Sequence, residues 1–105
     1  MRKIALASLF VVGLTVAAPA NARNWVSVST GRWVDRDSIR REGVIAYFTS
    51  TVWFDGVPPD DGGVLSKAYN CASNLLYSAQ LGPGDPRGMV LDPAEAAPYR
   101  DLLCR

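Results

Sequence analysis

Val44-Ile45-Ala46-Tyr47-Phe48-Thr49-Ser50-Thr51-Val52-Trp53-Phe54 is the stretch that decides the fold. It is rich in β-branched and aromatic residues and holds no Gly or Pro, which favours a strand over a helix. Side chains alternate across a strand. Val44, Ala46, Phe48, Ser50, Val52 and Phe54 therefore share one face, expected to be the core face. Ile45, Tyr47, Thr49, Thr51 and Trp53 share the other, which tolerates water at its threonines.

The next residues, Asp55-Gly56-Val57-Pro58-Pro59-Asp60-Asp61-Gly62-Gly63, are all turn formers but Val57 and read as a loop. Val64–Cys71 then reads as the returning strand of an antiparallel hairpin. On it Leu65, Lys67, Tyr69 and Cys71 share a face. Lys67 fits that apolar face only if its ammonium snorkels out.

Working outward from the hairpin, Trp25–Ser29 reads as a first strand and Thr30-Gly31 as its turn. Trp33-Val34-Asp35 begins a short second strand. Asp37-Ser38 and Arg41-Glu42-Gly43 look like turn material around Ile39. On the other side, Leu75–Leu81 suggests a further strand. Gly82–Gly88 is a hard break, and Met89-Val90-Leu91 is a short strand or lead-in.

The C-terminus changes character. Asp92 is placed to cap a helix, with Pro93 at the first helical position and Glu95 at the third. Pro98 lacks the N–H that a helix interior uses. The expectation is one helical turn over Pro93–Ala97 and a helix over Pro98–Leu103, with a kinked union of the two as the alternative. Tyr99, Leu102 and Leu103 form the apolar side. The pattern as a whole predicts an α+β domain: a small, meander-like antiparallel sheet with a short C-terminal helix.

The N-terminus carries an address. Arg2 and Lys3 precede an apolar run from Ile4 to Ala18, broken only by Ser8, Gly13 and Thr15. Pro19 and Ala20-Asn21-Ala22 complete a signal-peptide pattern with a small-x-small cleavage site. The run is short of the about 20 residues that span a bilayer. Residues 1–22 are therefore read as a signal peptide, and 23–105 as one mature domain with no membrane span. The destination is the periplasm, the cell surface or the medium.

Cleavage removes two of the eleven basic groups and none of the ten acidic ones, leaving nine against ten, a formal charge of −1. That balance argues against nucleic-acid and anionic-membrane partners. So short a domain has a marginal core. Oxidising compartments are where small domains use disulfides. Cys71 and Cys104 are the only two cysteines, so there is one intramolecular pairing. Free thiols or an intermolecular bridge are the alternatives.

Few residues suggest chemistry. Histidine is absent, which removes the commonest general base and zinc ligand. No nucleophile elbow or phosphate loop occurs. Cys71 and Cys104 are too far apart for a Cys-x-x-Cys redox pair. Asp55, Asp60 and Asp61 crowd one loop, as a weak Ca²⁺ site would require, but without EF-hand spacing. They read first as turn chemistry, as do Asp35 and Asp37. Arg36, Arg40 and Arg41 are read as a mixed face neutralised by Asp35, Asp37 and Glu42. Trp25, Trp33, Trp53, Tyr47, Tyr69 and Tyr77 could stack on a sugar or a protein partner. A domain of this size needs them first as core. No enzyme, cofactor or metal site is expected.

The order of landmarks resembles the surface-adhesin protein E-like family of small exported bacterial proteins. The matching parts are Asp35-Arg36-Asp37-Ser38-Ile39, Gly43 before an aromatic-rich strand, Asn70-Cys71 after the returning strand, Pro93, and the closing Leu103-Cys104. Three positions depart from the pattern. Met89–Leu91 stands where many members have a Trp, Asn70 where they are often acidic, and Pro98 where an uninterrupted helix is usual. The resemblance implies an antiparallel sheet with helical cover and a Cys71–Cys104 bridge. The founding adhesin binds host extracellular-matrix proteins; none of its binding residues carries over. The expected role is a small binding module of the envelope or extracellular space that engages another protein. The alternative is a structural or accessory envelope component without a ligand.

Overall fold

A computed structural model describes residues 23–105; the leader expected over 1–22 and its cleavage site's first half lie outside the described residues. Seven strands form one antiparallel sheet, with one helix at the C-terminus. The strands are β1 (Trp25–Ser29), β2 (Arg32–Asp35), β3 (Arg40–Glu42), β4 (Ile45–Val52), β5 (Leu65–Asn70), β6 (Leu75–Ser78) and β7 (Met89–Val90), followed by α1 (Pro93–Leu103). The α+β meander expected from the sequence is the observed architecture.

The central hairpin pairs β4 with β5, from Ile45 opposite Asn70 to Ser50 opposite Leu65. The opposite edge of β4 is shared. β3 pairs with its first half, Arg40 opposite Tyr47, and β2 with its second, Trp33 opposite Thr51. A 3₁₀ turn over Arg36–Ser38 separates β2 from β3. It leaves a β4 amide without a strand partner, and Ser38 fills the gap. Its Oγ accepts from Thr49 N at 2.7 Å and donates to Asp35 O at 2.7 Å.

Arg41-Glu42 was expected in a turn, yet Arg40–Glu42 is a strand; the turn is Gly43-Val44, with Gly43 at φ 61°. Three consecutive charges obscure an edge strand whose role is only to complete a ladder. At the β1–β2 turn Gly31 has φ 74°, and a Cβ there would overlap the Phe54 ring.

The helix is one element despite Pro98. Asp92 caps it, accepting from Glu95 N at 2.8 Å, and Pro93 occupies its first turn. A proline in the interior removes one backbone bond and strains the turn before it, so burial and tethering must hold the rest. Ala96, Tyr99 and Leu103 are buried, whereas Leu102 is half-buried; Leu103 is the leucine that faces the core. Cys104 closes the helix and bonds to Cys71, one residue past β5, with Cα atoms 5.7 Å apart. Arg100 Nη1 donates to Cys71 O at 2.6 Å and Asn74 Oδ1 at 3.0 Å. Arg41 Nη1 donates to Leu103 O at 3.3 Å.

The core lies between this helix and one sheet face, built on Val28, Val34, Ala46, Phe48, Tyr69 and Leu76. The expected core face of β4 is half right. Ala46 and Phe48 are buried, but Val44, Val52 and Phe54 are exposed, because the helix covers only the middle of the strand. The supposedly wet Thr51 is buried instead. The loop between β4 and β5 folds over that second face, and Thr51 Oγ1 donates to Gly63 O at 2.7 Å.

Candidate binding groove

α1 leaves part of its own sheet face open. Arg32 of β2 lies opposite Val52 of β4, and Leu65 and Lys67 of β5, which lie opposite Ser50 and Phe48, share that side of the sheet. The sheet also curls. Ser29 at the end of β1 and Met89 of β7 lie on opposite outer strands, yet both line one cavity of about 150 Å³ with Arg32, Glu95 and Tyr99. Arg32 and Tyr99 pass into a second cavity of about 60 Å³, floored by Phe48 and Leu76 and reaching Lys67. Leu65 and Lys67 also border a third, about 490 Å³, that runs to Asp85 and Arg87. The three share wall residues and lie side by side between the helix start and the β6–β7 loop, which makes them a candidate groove.

Its electrostatics are uneven. Neither Arg32 nor Lys67 makes an ion pair among the described residues. Burial raises the pKa of the Tyr99 hydroxyl, and the adjacent Arg32 guanidinium pulls against that. At the far end Asp85 accepts from Ser78 N and Arg87 N, each at 2.9 Å. Those backbone bonds hold its carboxyl below the ordinary value of 3.8. The middle of the groove thus sets two cations that make no ion pair beside an apolar floor, with Glu95 and Asp85 lining the cavities to either side.

Lys67 was visible in the sequence as a cation on an apolar face. Nothing local in the sequence marks Arg32, which stands at the start of its strand; its alternation with Val34 places it on the same side as the core.

The other expected residues have structural duties. Asp35 is buried, caps the 3₁₀ turn through Asp37 N at 3.1 Å, and pairs with Arg23 at 3.4 Å. Arg40 pairs with Glu42 at 3.0 Å and lies over the Tyr47 ring. Arg41 departs from the neutralised-face expectation: it donates to backbone carbonyls, as its position beside the helix end requires. Tyr69 and Tyr77 are core; Trp25, Trp33 and Tyr47 are half-buried. Trp53 and Phe54 are exposed, the latter by 75%. Among the described residues no group of three His, Cys, Asp or Glu side chains is placed to hold a metal, and no helix is long and apolar enough to cross a membrane.

The chain is an α+β protein with one helix fastened across a curled sheet by a disulfide. No family model matches it, nor does any curated protein or solved structure.

Proposed function

We propose that this is a non-enzymatic binding module exported to the periplasm, cell surface or medium, which takes an acidic polypeptide segment in the groove between α1 and the β6–β7 loop. One observation carries the reading: Arg32 and Lys67 make no ion pair and border a floor of Phe48 and Leu76, on sheet face the helix leaves open, with Glu95 and Asp85 lining the adjoining cavities. Buried or rimmed cations seek a counter-charge, and arginine is suited to a carboxylate. The exposed Trp53, Phe54 and Val57 add apolar contact surface on the β4–β5 loop, which favours a binding module over a ligandless accessory protein. The disulfide is compatible with an oxidising compartment. Membership of the surface-adhesin protein E-like family is part of the same proposal.

The test is an NMR titration of oxidised protein with a short polyglutamate peptide. Shifts centred on Arg32, Lys67 and Tyr99 are expected, and loss of those shifts in an Arg32→Glu/Lys67→Glu variant that keeps its fold. Equal binding by that variant, or shifts on another face, would overturn the assignment.

A further inference from the structure

We propose that removal of the leader between Ala22 and Arg23 creates a charged latch: the new α-ammonium of Arg23 pairs with Asp60 and pins the β4–β5 loop across the sheet. The inference rests on the reading of residues 1–22 as a cleaved signal peptide.

The geometry is already set. The backbone nitrogen of Arg23 donates to Asp60 Oδ1 at 3.1 Å. The distance that the loop covers is telling. It leaves β4 at Val52, which lies opposite Arg32. Arg23 lies beyond the other end of the β1–β2 ladder, where Trp25 faces Asp35. Asp60 therefore marks a traverse of the face opposite the helix. Along that traverse Trp33 Nε1 donates to Trp53 O at 3.0 Å, Thr51 Oγ1 donates to Gly63 O at 2.7 Å, and Pro58 is buried. Nothing in the β4–β5 ladder demands such a path, because Ser50 and Leu65 are already paired neighbours.

Arg23 itself is firmly placed. Its guanidinium meets Asp35 at 3.4 Å, Asn24 N donates to Asp35 Oδ1 at 3.1 Å, and Asn24 O accepts from Arg36 N at 2.9 Å. The small-x-small motif ends at Ala22. Recognition motif and first anchored residue are thus adjacent, and cleavage there leaves no free tail.

The chemistry follows. Signal peptidase hydrolyses the Ala22–Arg23 amide: the C–N bond breaks, water gives its hydroxyl to the Ala22 carbonyl carbon and a proton to the Arg23 nitrogen. That amine takes one further proton from solvent. A neutral amide donor with one N–H becomes an ammonium with three, at the same carboxylate. A neutral hydrogen bond becomes a charge-assisted one. The precursor holds its loop by the amide bond alone; the processed protein holds it by an ion pair.

The experiment compares two exported proteins, one with the native leader junction and one with a serine inserted after Ala22, each with and without Asp60→Asn. Mass spectrometry reads the start, and circular dichroism confirms folding. Thermolysin, which cuts ahead of apolar residues such as the exposed Phe54 and Val64 at the two ends of the loop, reads loop opening. At low salt the native start should be nicked about two- to five-fold more slowly than the serine-extended form, as expected for one exposed ion pair. Asp60→Asn should remove that difference, and molar salt should shrink it. Equal nicking of the two starts, or a difference that survives Asp60→Asn, overturns the latch. A retained leader overturns the export reading itself, and with it the latch.

Discussion

Tyr99 of the helix stacks on Tyr69 of β5, with ring centroids 5.7 Å apart and planes 17° from parallel. Phe48 tilts against the same Tyr99 ring at 6.5 Å. Tyr69 is fully buried and donates its hydroxyl to Asn74 Oδ1 at 2.6 Å, the atom that also accepts from Arg100. One aromatic cluster therefore joins helix, sheet and turn. Tyr99→Ala should lower stability by about 3 to 5 kcal/mol, as for other large aromatics lost from a core. Tyr99→Phe keeps the ring and should cost under about 1.5 kcal/mol. Urea unfolding of the two variants checks this; similar losses would mean that the hydroxyl, not the stack, holds the helix.

The two leucines at the helix end should separate. Leu103 is 1% exposed, whereas Leu102 is only half-buried. Leu103→Ala should destabilise by about 2 to 5 kcal/mol through lost burial and a residual cavity. Leu102→Ala should lose clearly less. Melting temperatures in the reverse order would mean that the helix is rotated about Pro98.

The Cys71–Cys104 bond closes a span of 33 residues onto the end of the chain. Cys104→Ser should lower stability by about 2 to 5 kcal/mol. Oxidised protein, denatured and assayed for thiols, should give no reaction. Two reactive groups per molecule would rule the bridge out.

Asp85 predicts a pH signature. Its carboxyl is held low first by the N–H groups of Ser78 and Arg87, so the folded state favours the ionised form. Its contribution is full above the unfolded value, near 3.8, and is lost as pH falls through the lower folded value. Asp85→Asn should therefore be less stable than the parent at neutral pH, and the gap should close in strong acid. A constant gap from pH 7 to pH 2 would show that shape, not charge, matters at this position.

The sequence was legible where local chemistry and global structure agree. Eight turn formers in the nine residues between two β-rich runs specified the β4–β5 hairpin. Asp92, Pro93 and Glu95 specified the helix start, since a cap needs only neighbours in the chain. Two cysteines allowed one internal bridge. Legibility failed where a distant segment decides. Val52 alternates correctly with Phe48 but lies past the reach of the helix, so it is exposed. Thr51 looks wet until the loop bends back to it. Arg41-Glu42 reads as turn material because nothing local reveals the vacant edge of β4, which Arg40–Glu42 fills. Of the groove, Lys67 was readable as an oddity on its strand, while Arg32 gained meaning only when the curled sheet brought it beside Tyr99.

The order in which strands sit beside one another has a kinetic consequence. Successive segments are neighbours almost throughout, with β2 and β3 sharing the edge of β4. Each pairing therefore closes a short stretch of chain, at little entropic cost. Such low contact order favours fast assembly of the meander. Only the last segment must travel back, to set Tyr99 on Tyr69 and Leu103 against the early strands. A stopped-flow experiment should accordingly find the sheet collapsed before the tyrosine stack forms, with Leu103→Ala accelerating unfolding more than it slows folding.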